Sequence, residues 1–334
     1  MTDRGDIDVV GIGNALVDVL CHENEEFLLS HGLVKGTMQL INEAGARRLY
    51  EAMGPGVEMS GGSAANTIVG VASFGGRAHY VGKVRNDQLG DVFAHDLRST
   101  GVEYATPPAT EGPPTGRCLI MVTPDAQRTM GTFLGASVSL SPGDIDADLI
   151  ARGKILYLEG YLFDPPRAQD AFRVAASIAH ERGRVVSLTL SDPFCVDRHR
   201  HAFLELVKGY VDVLFANEAE ICSLYEVDQF DDALQNVRAE CELAFLTRSA
   251  AGAVVVHGDE VHVVSAQPQG PVVDTTGAGD QFAAGALYAL TRGCDVTTAA
   301  RVGSLCAGEV IAHLGPRPQA DVKRLTGPLL PERD

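Results

Sequence analysis

The chain has 334 residues, 45% of them hydrophobic and 21% charged, the balance of an ordinary globular protein with chain enough for one large domain and a subdomain. A formal charge of −17 argues against a nucleic-acid partner, whose phosphates call for a basic patch or stripe. There is no run of about 18 apolar residues and no charged leader backed by an apolar segment, so no membrane partner is expected and a cytoplasmic location is.

The first predicted element is a buried strand at 7–13, IDVVGIG, a β-branched run ending in glycines. The GIGNAL that closes it lacks the third glycine of a GxGxxG dinucleotide loop, and Asp18 comes too soon to be that motif's ribose-binding acid. Asn14 and Asp18, an amide and a carboxylate just past the strand, suit either the clamping of a vicinal diol or plain turn and cap duty. Segments VDVLCHEN, GTMQLI, TGRCLIMVTP and QRTMGTFLGA alternate in polarity and are punctuated by turns, which predicts antiparallel strands with a Pro-Asp turn at 124–125. They are expected to form a small β lid of residues 15–42 and 104–136, inserted into an α/β core of residues 1–14, 43–103 and 137–334. Arg128 lies in a lid strand, where it either reaches a phosphate as the lid closes or stays a solvated charge.

GGSAAN at 61–66 opens a predicted helix over 62–74. Gly61 and Gly62 let a small ligand touch the main chain, and Asn66 both donates and accepts, as a sugar hydroxyl requires; capping and turn roles stand beside that reading. Strands are predicted at 78–82, 155–160, 185–190, 211–215, 243–247 and 253–256, with helices at 87–100, 166–182, 198–209, 217–225, 229–239, 278–292 and 295–313. Their alternation implies a parallel sheet covered on both faces, with ligands at the carboxyl ends of its strands. NEAE at 217–220 is either a capping box of Asn217 with Glu220 or a carboxylate beside hydrated magnesium, an ion that needs few such ligands. TRSAAG at 247–252 is a turn or a phosphate-side loop, and the Pro-rich tail, 315–334, is expected along the surface. The seven cysteines are scattered and form no CxxC, so reduced thiols are expected, and no Walker A, HExxH or GxSxG pattern occurs.

DTTGAGDQF at 274–282 carries the most chemistry. A glycine-rich turn entering a helix presents unpaired N–H groups at the positive end of the helix dipole, and Gly277, Ala278 and Gly279 lack the bulk to keep an anion away. Asp280 then stands where it accepts the proton of a hydroxyl placed beside that anion, the geometry of phosphoryl transfer to an alcohol. The plainer alternative is a carboxylate that only steadies a helix N-terminus by about 0.3–1 kcal/mol.

Together these stretches resemble the ribokinase-like (PfkB) carbohydrate kinase family over nearly the whole chain. GGSAANTIVGVASFGG (61–76) is similar to its first signature, VGKVRNDQLG (81–90) to the continuation, NEAE to its NxxE motif and DTTGAGDQF to its second signature. The resemblance implies a three-layer α/β/α domain with a mainly parallel sheet and a small β-sheet lid, and phosphorylation of a primary sugar hydroxyl with ATP and Mg²⁺. It implies Asp280 as catalytic base, the amides of Gly277, Ala278, Gly279 and Asp280 as anion hole, and Arg128 as the lid arginine. It further implies Asn14, Asp18, Gly61, Gly62 and Asn66 on the sugar, and Asn217, Glu220, Thr247, Ser249 and Gly252 on ATP. Glu220 would hold magnesium through water, and Asp274 and Thr276 a monovalent cation such as K⁺. GNALVDVL (13–20), SLTLSDPF (187–194) and FANEAEI (215–221) are more similar to the adenosine kinases of that family, with Leu16 facing a base and Phe163 or Tyr161 stacking on it. The activity so implied is phosphorylation of a nucleoside 5′-hydroxyl, adenosine first. A kinase for ribose, fructose or a ketodeoxy sugar acid is the alternative, and a non-catalytic ligand-binding regulator the third reading. Small molecules are the expected partners, and the uncovered lid edge is compatible with a monomer or a homodimer.

Overall fold

The computed structural model describes residues 5–125 and 127–331. Among the described residues fourteen strands run in chain order as β1 (Ile7–Ile12), β2 (Leu16–His22), β3 (Met38–Leu40), β4 (Val57–Gly61), β5 (Ala78–Val81), β6 (Glu103–Tyr104), β7 (Thr115–Val122), β8 (Arg128–Gly135), β9 (Gly153–Glu159), β10 (Val185–Thr189), β11 (Val213–Asn217), β12 (Leu243–Thr247), β13 (Ala253–His257) and β14 (Glu260–Val264). Nine form one sheet in the order β14-β13-β12-β11-β10-β9-β1-β5-β6, and five form a second in the order β3-β8-β7-β2-β4.

The large sheet is parallel except at one edge, where β13 pairs antiparallel with both β12 and β14. Its strands bury both faces. Along β9, Ile155 and Tyr157 join one core and Leu156 and Leu158 the other, the period-two alternation of a sheet covered twice. Helices Ser63–Ser73, Ala278–Thr291 and Val296–Val310 cover the first face, while Pro166–Glu181, Pro193–Tyr210, Glu218–Tyr225 and Phe230–Glu240 cover the second. Asp87, Asp192, Asn217 and Asp295 cap helices Gln88–Ser99, Pro193–Tyr210, Glu218–Tyr225 and Val296–Val310, each accepting a hydrogen bond from an amide of the first turn. This is the three-layer α/β/α body with a small β-sheet lid that the sequence implied.

Three expectations are corrected. The small sheet is mixed: β7 pairs antiparallel with β8, and β2 with β4, but β2 runs parallel to β7 and β3 parallel to β8. Alternating polarity reports that a segment is a strand and says nothing of its partner's direction. The boundary at 43 also falls too early, because β4 pairs in the small sheet and helix Glu43–Ala52, opened by an Asn42 cap, packs against β7 and β8. The tail does not simply lie on the surface, since Val322 and Thr326 are buried and Arg317 runs inward. All seven cysteines are free, and among the described residues no helix is long and apolar enough to cross a membrane.

Candidate active site

The carboxyl ends of β1, β9, β10, β11 and β12 meet the N-termini of helices Ser63–Ser73 and Ala278–Thr291 at one end of the large sheet. Gly277 opens the second helix with φ of 78°, and a Cβ there would come within 2.6 Å of Pro316, so only glycine fits the turn. No side chain among the described residues caps this end. The Ala278 amide is used within the turn, donating to the Thr275 carbonyl at 3.2 Å, but those of Gly279 and Asp280 have no acceptor among the described residues. Of the four predicted anion-hole amides, that of Ala278 is thus engaged, and those of Gly277, Gly279 and Asp280 have no acceptor among the described residues.

Asp280 is held by the opposite helix: Ser63 Oγ donates to its Oδ1 at 2.6 Å and Asn66 Nδ2 to its Oδ2 at 3.3 Å. Burial pushes its pKa up to about 6 against the pull of those two bonds. A carboxylate poised there is ionised at neutral pH yet basic enough to take a proton from a hydroxyl.

Around it stand the residues expected on the sugar. Gly62 has φ of 100°, and a Cβ on it would run into the Asn14 carbonyl; one on Gly61 would strike the Asp18 carboxylate. Asn14 is fixed by Glu159, whose Oε1 accepts from the Asn14 amide (3.0 Å) and Nδ2 (2.8 Å), and by Ser137 Oγ, which donates to Asn14 Oδ1 at 2.8 Å. Glu159 Oε2 accepts the Ala64 amide at 2.7 Å, tying β9 to the glycine loop. Leu16 is buried at the start of β2, in register with Gly61 and Gly116. Asp18 accepts no hydrogen bond among the described residues, and desolvation pushes its carboxyl up to about 7 although Arg317 and Arg128 stand near it.

On the far side of Asp280 lies a cavity of about 850 Å³, lined by Asn217, Glu220, Thr247, Ser249 and Gly252 together with Asp280 itself. That volume is in the range of small-molecule and cofactor pockets. Asn217 and Glu220 form the capping box, Glu220 Oε2 accepting the Asn217 amide (2.9 Å) and Oε1 its Nδ2 (2.6 Å). Burial first, and then the charges of Asp192 and Asp280, push Glu220 up to about 7. Among the described residues no group of three or more His, Cys, Asp or Glu makes a direct metal cage.

Three assigned residues are engaged within the chain. Arg128 stands at the lid tip, the end of β8 away from Gly135, yet its Nη2 meets Asp274 Oδ2 at 2.6 Å, so the lid lies folded over the cleft and the guanidinium sits on the loop before the anion hole. Asp274 Oδ1 accepts the Thr276 amide (3.0 Å) and Oδ2 the Gly315 amide (2.9 Å). Both oxygens are thus engaged, one of them by an arginine, at the carboxylate for which the resemblance implied a monovalent cation. Phe163 is fully buried on the other face of the sheet, stacked on Phe203 with ring centroids 4.4 Å apart. Freeing it to meet a base would forfeit core packing worth about 3–5 kcal/mol. Tyr161, two residues earlier, remains partly exposed, and its hydroxyl feels the charges of Asp192, Glu220 and Asp280. The sequence reading missed Ser63, Ser137, Glu159 and Arg317; only Glu159 left a signal, as the single charge closing the apolar run ILYLEG.

A model of pfkB family carbohydrate kinases matches residues 52–322. A solved adenosine kinase from Sinorhizobium meliloti is 50% identical, covering 96% of this chain and 99% of that one with a TM-score of 0.90. A probable sugar kinase from Rhizobium etli CFN 42 is 47% identical, covering 98% and 100% with a TM-score of 0.92. An adenosine kinase from Saccharomyces cerevisiae is 28% identical over 330 residues, 92% of this chain and 96% of that protein.

Proposed function

The chain belongs to the pfkB family of carbohydrate kinases, and from that premise we propose that it transfers the γ-phosphoryl group of ATP to the 5′-hydroxyl of a nucleoside, adenosine first. The observation that carries the proposal is Asp280, oriented by Ser63 and Asn66 from one helix and standing beside the unpaired amides that open another. The acceptor's sugar is read between Asn14, Asp18, Gly61, Gly62 and Asn66, and ATP in the 850 Å³ cavity bounded by Asn217, Glu220, Thr247, Ser249 and Gly252. As the acceptor oxygen bonds to the γ-phosphorus, its proton passes to Asp280, the bond from phosphorus to the β–γ bridging oxygen breaks, and ADP leaves. The amides of Gly279 and Asp280 hold the charge of the moving group. Arg128 serves the same end, for its Nε and Nη1 are buried with no hydrogen-bond acceptor among the described residues, a state that an anionic ligand relieves. Magnesium bound with the nucleotide would neutralise phosphate charge, with Glu220 holding its water.

The sugar-kinase reading has an observation in its favour: Phe163, assigned to stack on a base, is committed to the core, and Tyr161, the other candidate, is only partly exposed. The regulator reading has less, because nothing about ligand retention alone requires two donors aimed at Asp280. A panel measuring ADP release from ATP and Mg²⁺ decides among them. Adenosine is expected to give the highest kcat/KM. Turnover confined to ribose, fructose or a ketodeoxy acid would overturn the nucleoside assignment, and nucleotide binding without turnover on any acceptor would overturn the kinase.

A further inference from the structure

After the last long helix the chain re-enters the site. Glu309 Oε1 accepts the amides of Gln319 (3.0 Å) and Ala320 (2.8 Å) and pairs with His313 Nε2 at 3.1 Å, while Asp274 accepts the amide of Gly315. Gln281 Nε2 donates to the Pro316 carbonyl at 3.0 Å and, at the same distance, to the carbonyl of Asn66. These ties deliver Arg317, with only 15% of its side chain exposed, beneath the Gly61–Gly62 turn. Its Nη1 donates to Asp96 Oδ2 (3.0 Å), its Nη2 to Ser60 Oγ (2.7 Å) and to the Ser60 carbonyl, and its Nε to Asn66 Oδ1 (3.4 Å). Asp96 Oδ2 in turn accepts the Ser60 amide (2.8 Å) and hydroxyl (2.6 Å).

A guanidinium can only donate. Asn66 must therefore turn its oxygen to Arg317, and its NH₂ is left to face Asp280. We infer that Arg317 is a positioning residue for phosphoryl transfer: it fixes the amide of Asn66 so that Nδ2 holds Asp280, and it places a positive charge beside Asp18. The inference rests on the reading of Asp280 as the base. With one lone pair of its oxygen and one hydrogen of its NH₂ so engaged, Asn66 keeps one acceptor and one donor position for the substrate. The charged groups facing Asp18 are Arg317 and Arg128, which favour its ionised form, and Asp280, which opposes it, with Cys118 alongside in β7. Asp280 faces the donors Ser63 and Asn66 and lies within reach of the charges of Glu159 and Glu220. Losing the Arg317 charge favours the protonated form of Asp18, so higher pH is needed to ionise it.

The test compares wild type, Arg317→Met and Arg317→Lys with ATP and the best acceptor of the panel, reading kcat, both KM values and the acid limb of the pH profile of kcat/KM. Arg317→Met is expected to lose about 10²-fold in kcat, to keep its KM for ATP, and to move the acid limb to higher pH. Arg317→Lys is expected to restore the limb, having the charge, but not kcat, because one ammonium cannot span Ser60, Asp96 and Asn66 as the fork does. A folded Arg317→Met variant with wild-type kcat and an unmoved limb overturns the inference while leaving the base assignment intact. If thermal melting shows that variant unfolded, wild-type kcat in Arg317→Lys overturns it equally. A wild-type protein inert toward every acceptor is a separate result, which overturns the reading of Asp280 and this inference with it.

Discussion

Glu159 takes three hydrogen bonds from two segments that must meet the same substrate, the Asn14 amide and side chain from the end of β1 and the Ala64 amide from the glycine turn. Burial pushes its carboxyl up to about 7 in spite of those donors. Removing the acceptor leaves buried donors unpaired at about 1–3 kcal/mol each, and Asn14 loses the contact that aims it. Glu159→Ala is therefore expected to raise KM for the acceptor by on the order of tenfold or more, the equivalent of about 1.4 kcal/mol, to lower Tm, and to leave KM for ATP nearly unchanged. Glu159→Gln is expected to lie between, because its carbonyl accepts from one partner while its NH₂ opposes the N–H of the other. Steady-state kinetics against both substrates and a thermal melt check this, and a loss confined to KM for ATP would contradict it. At this scale the sequence was legible wherever chemistry had a spacing: the glycines of 61–62 and 277–279, Asn66 and Asp280 all announce themselves by what stands next to them. Glu159 and Arg317 have no sequence partner, since their contacts are made 145 and 251 residues away, with Asn14 and Asn66 respectively. Phe163 was misassigned because aromatic character does not tell which face of a sheet a turn residue will take.

The elements that carry the site belong to two sheets, and one ion pair closes one over the other. Arg128 and Asp274 are each about 5% exposed at their side chains. Removing one member of such a pair leaves the other charge buried and is destabilising by roughly 3–5 kcal/mol; here the loss tends to the lower end, because Asp274 keeps two amide donors. The element that feels it is the lid. Arg128→Met is expected to speed hydrogen exchange at the paired ends of β7 and β8 by on the order of 10²-fold, with β1 and β9 unaffected, and to lower kcat as the moving phosphoryl group loses a cation. Unchanged exchange at the lid tip would show that the pair does not hold it closed. The strands of this lid were legible from their alternation, but their mixed directions were not, since β2 pairs parallel with residues of β7 that are 100 positions further along the chain, Leu16 with Gly116 and His22 with Val122. β4, VEMSG, escaped notice because it lacks the β-branched run of the others and earns its place only by pairing with β2.

Over the whole molecule, a parallel sheet brings the carboxyl ends of its strands to one edge, and that topology assembles Asn14, Glu159, Asn217 and Thr247 from distant stretches of chain. The alternation of apolar runs with capped helices was enough to foresee that layering, because both faces of such a sheet must be covered. It was not enough to foresee that the last segment returns through Glu309, Asp274 and Gln281 to join the anion hole to the acceptor side. The same closure concentrates four carboxyls, Asp18, Glu159, Glu220 and Asp280, whose pKa values burial raises to about 6 or 7. Of the four, Asp280 is the one that opens a helix whose first amides have no acceptor among the described residues. The central claim is that this carboxylate takes the acceptor's proton as phosphate is transferred. It is tested most directly by ADP release from ATP and adenosine in wild type and Asp280→Asn, with nucleotide binding measured on the same preparations. The account predicts a fall in kcat of about 10²–10⁴-fold in the variant with nucleotide binding largely kept; a variant within a few-fold of wild type would contradict it.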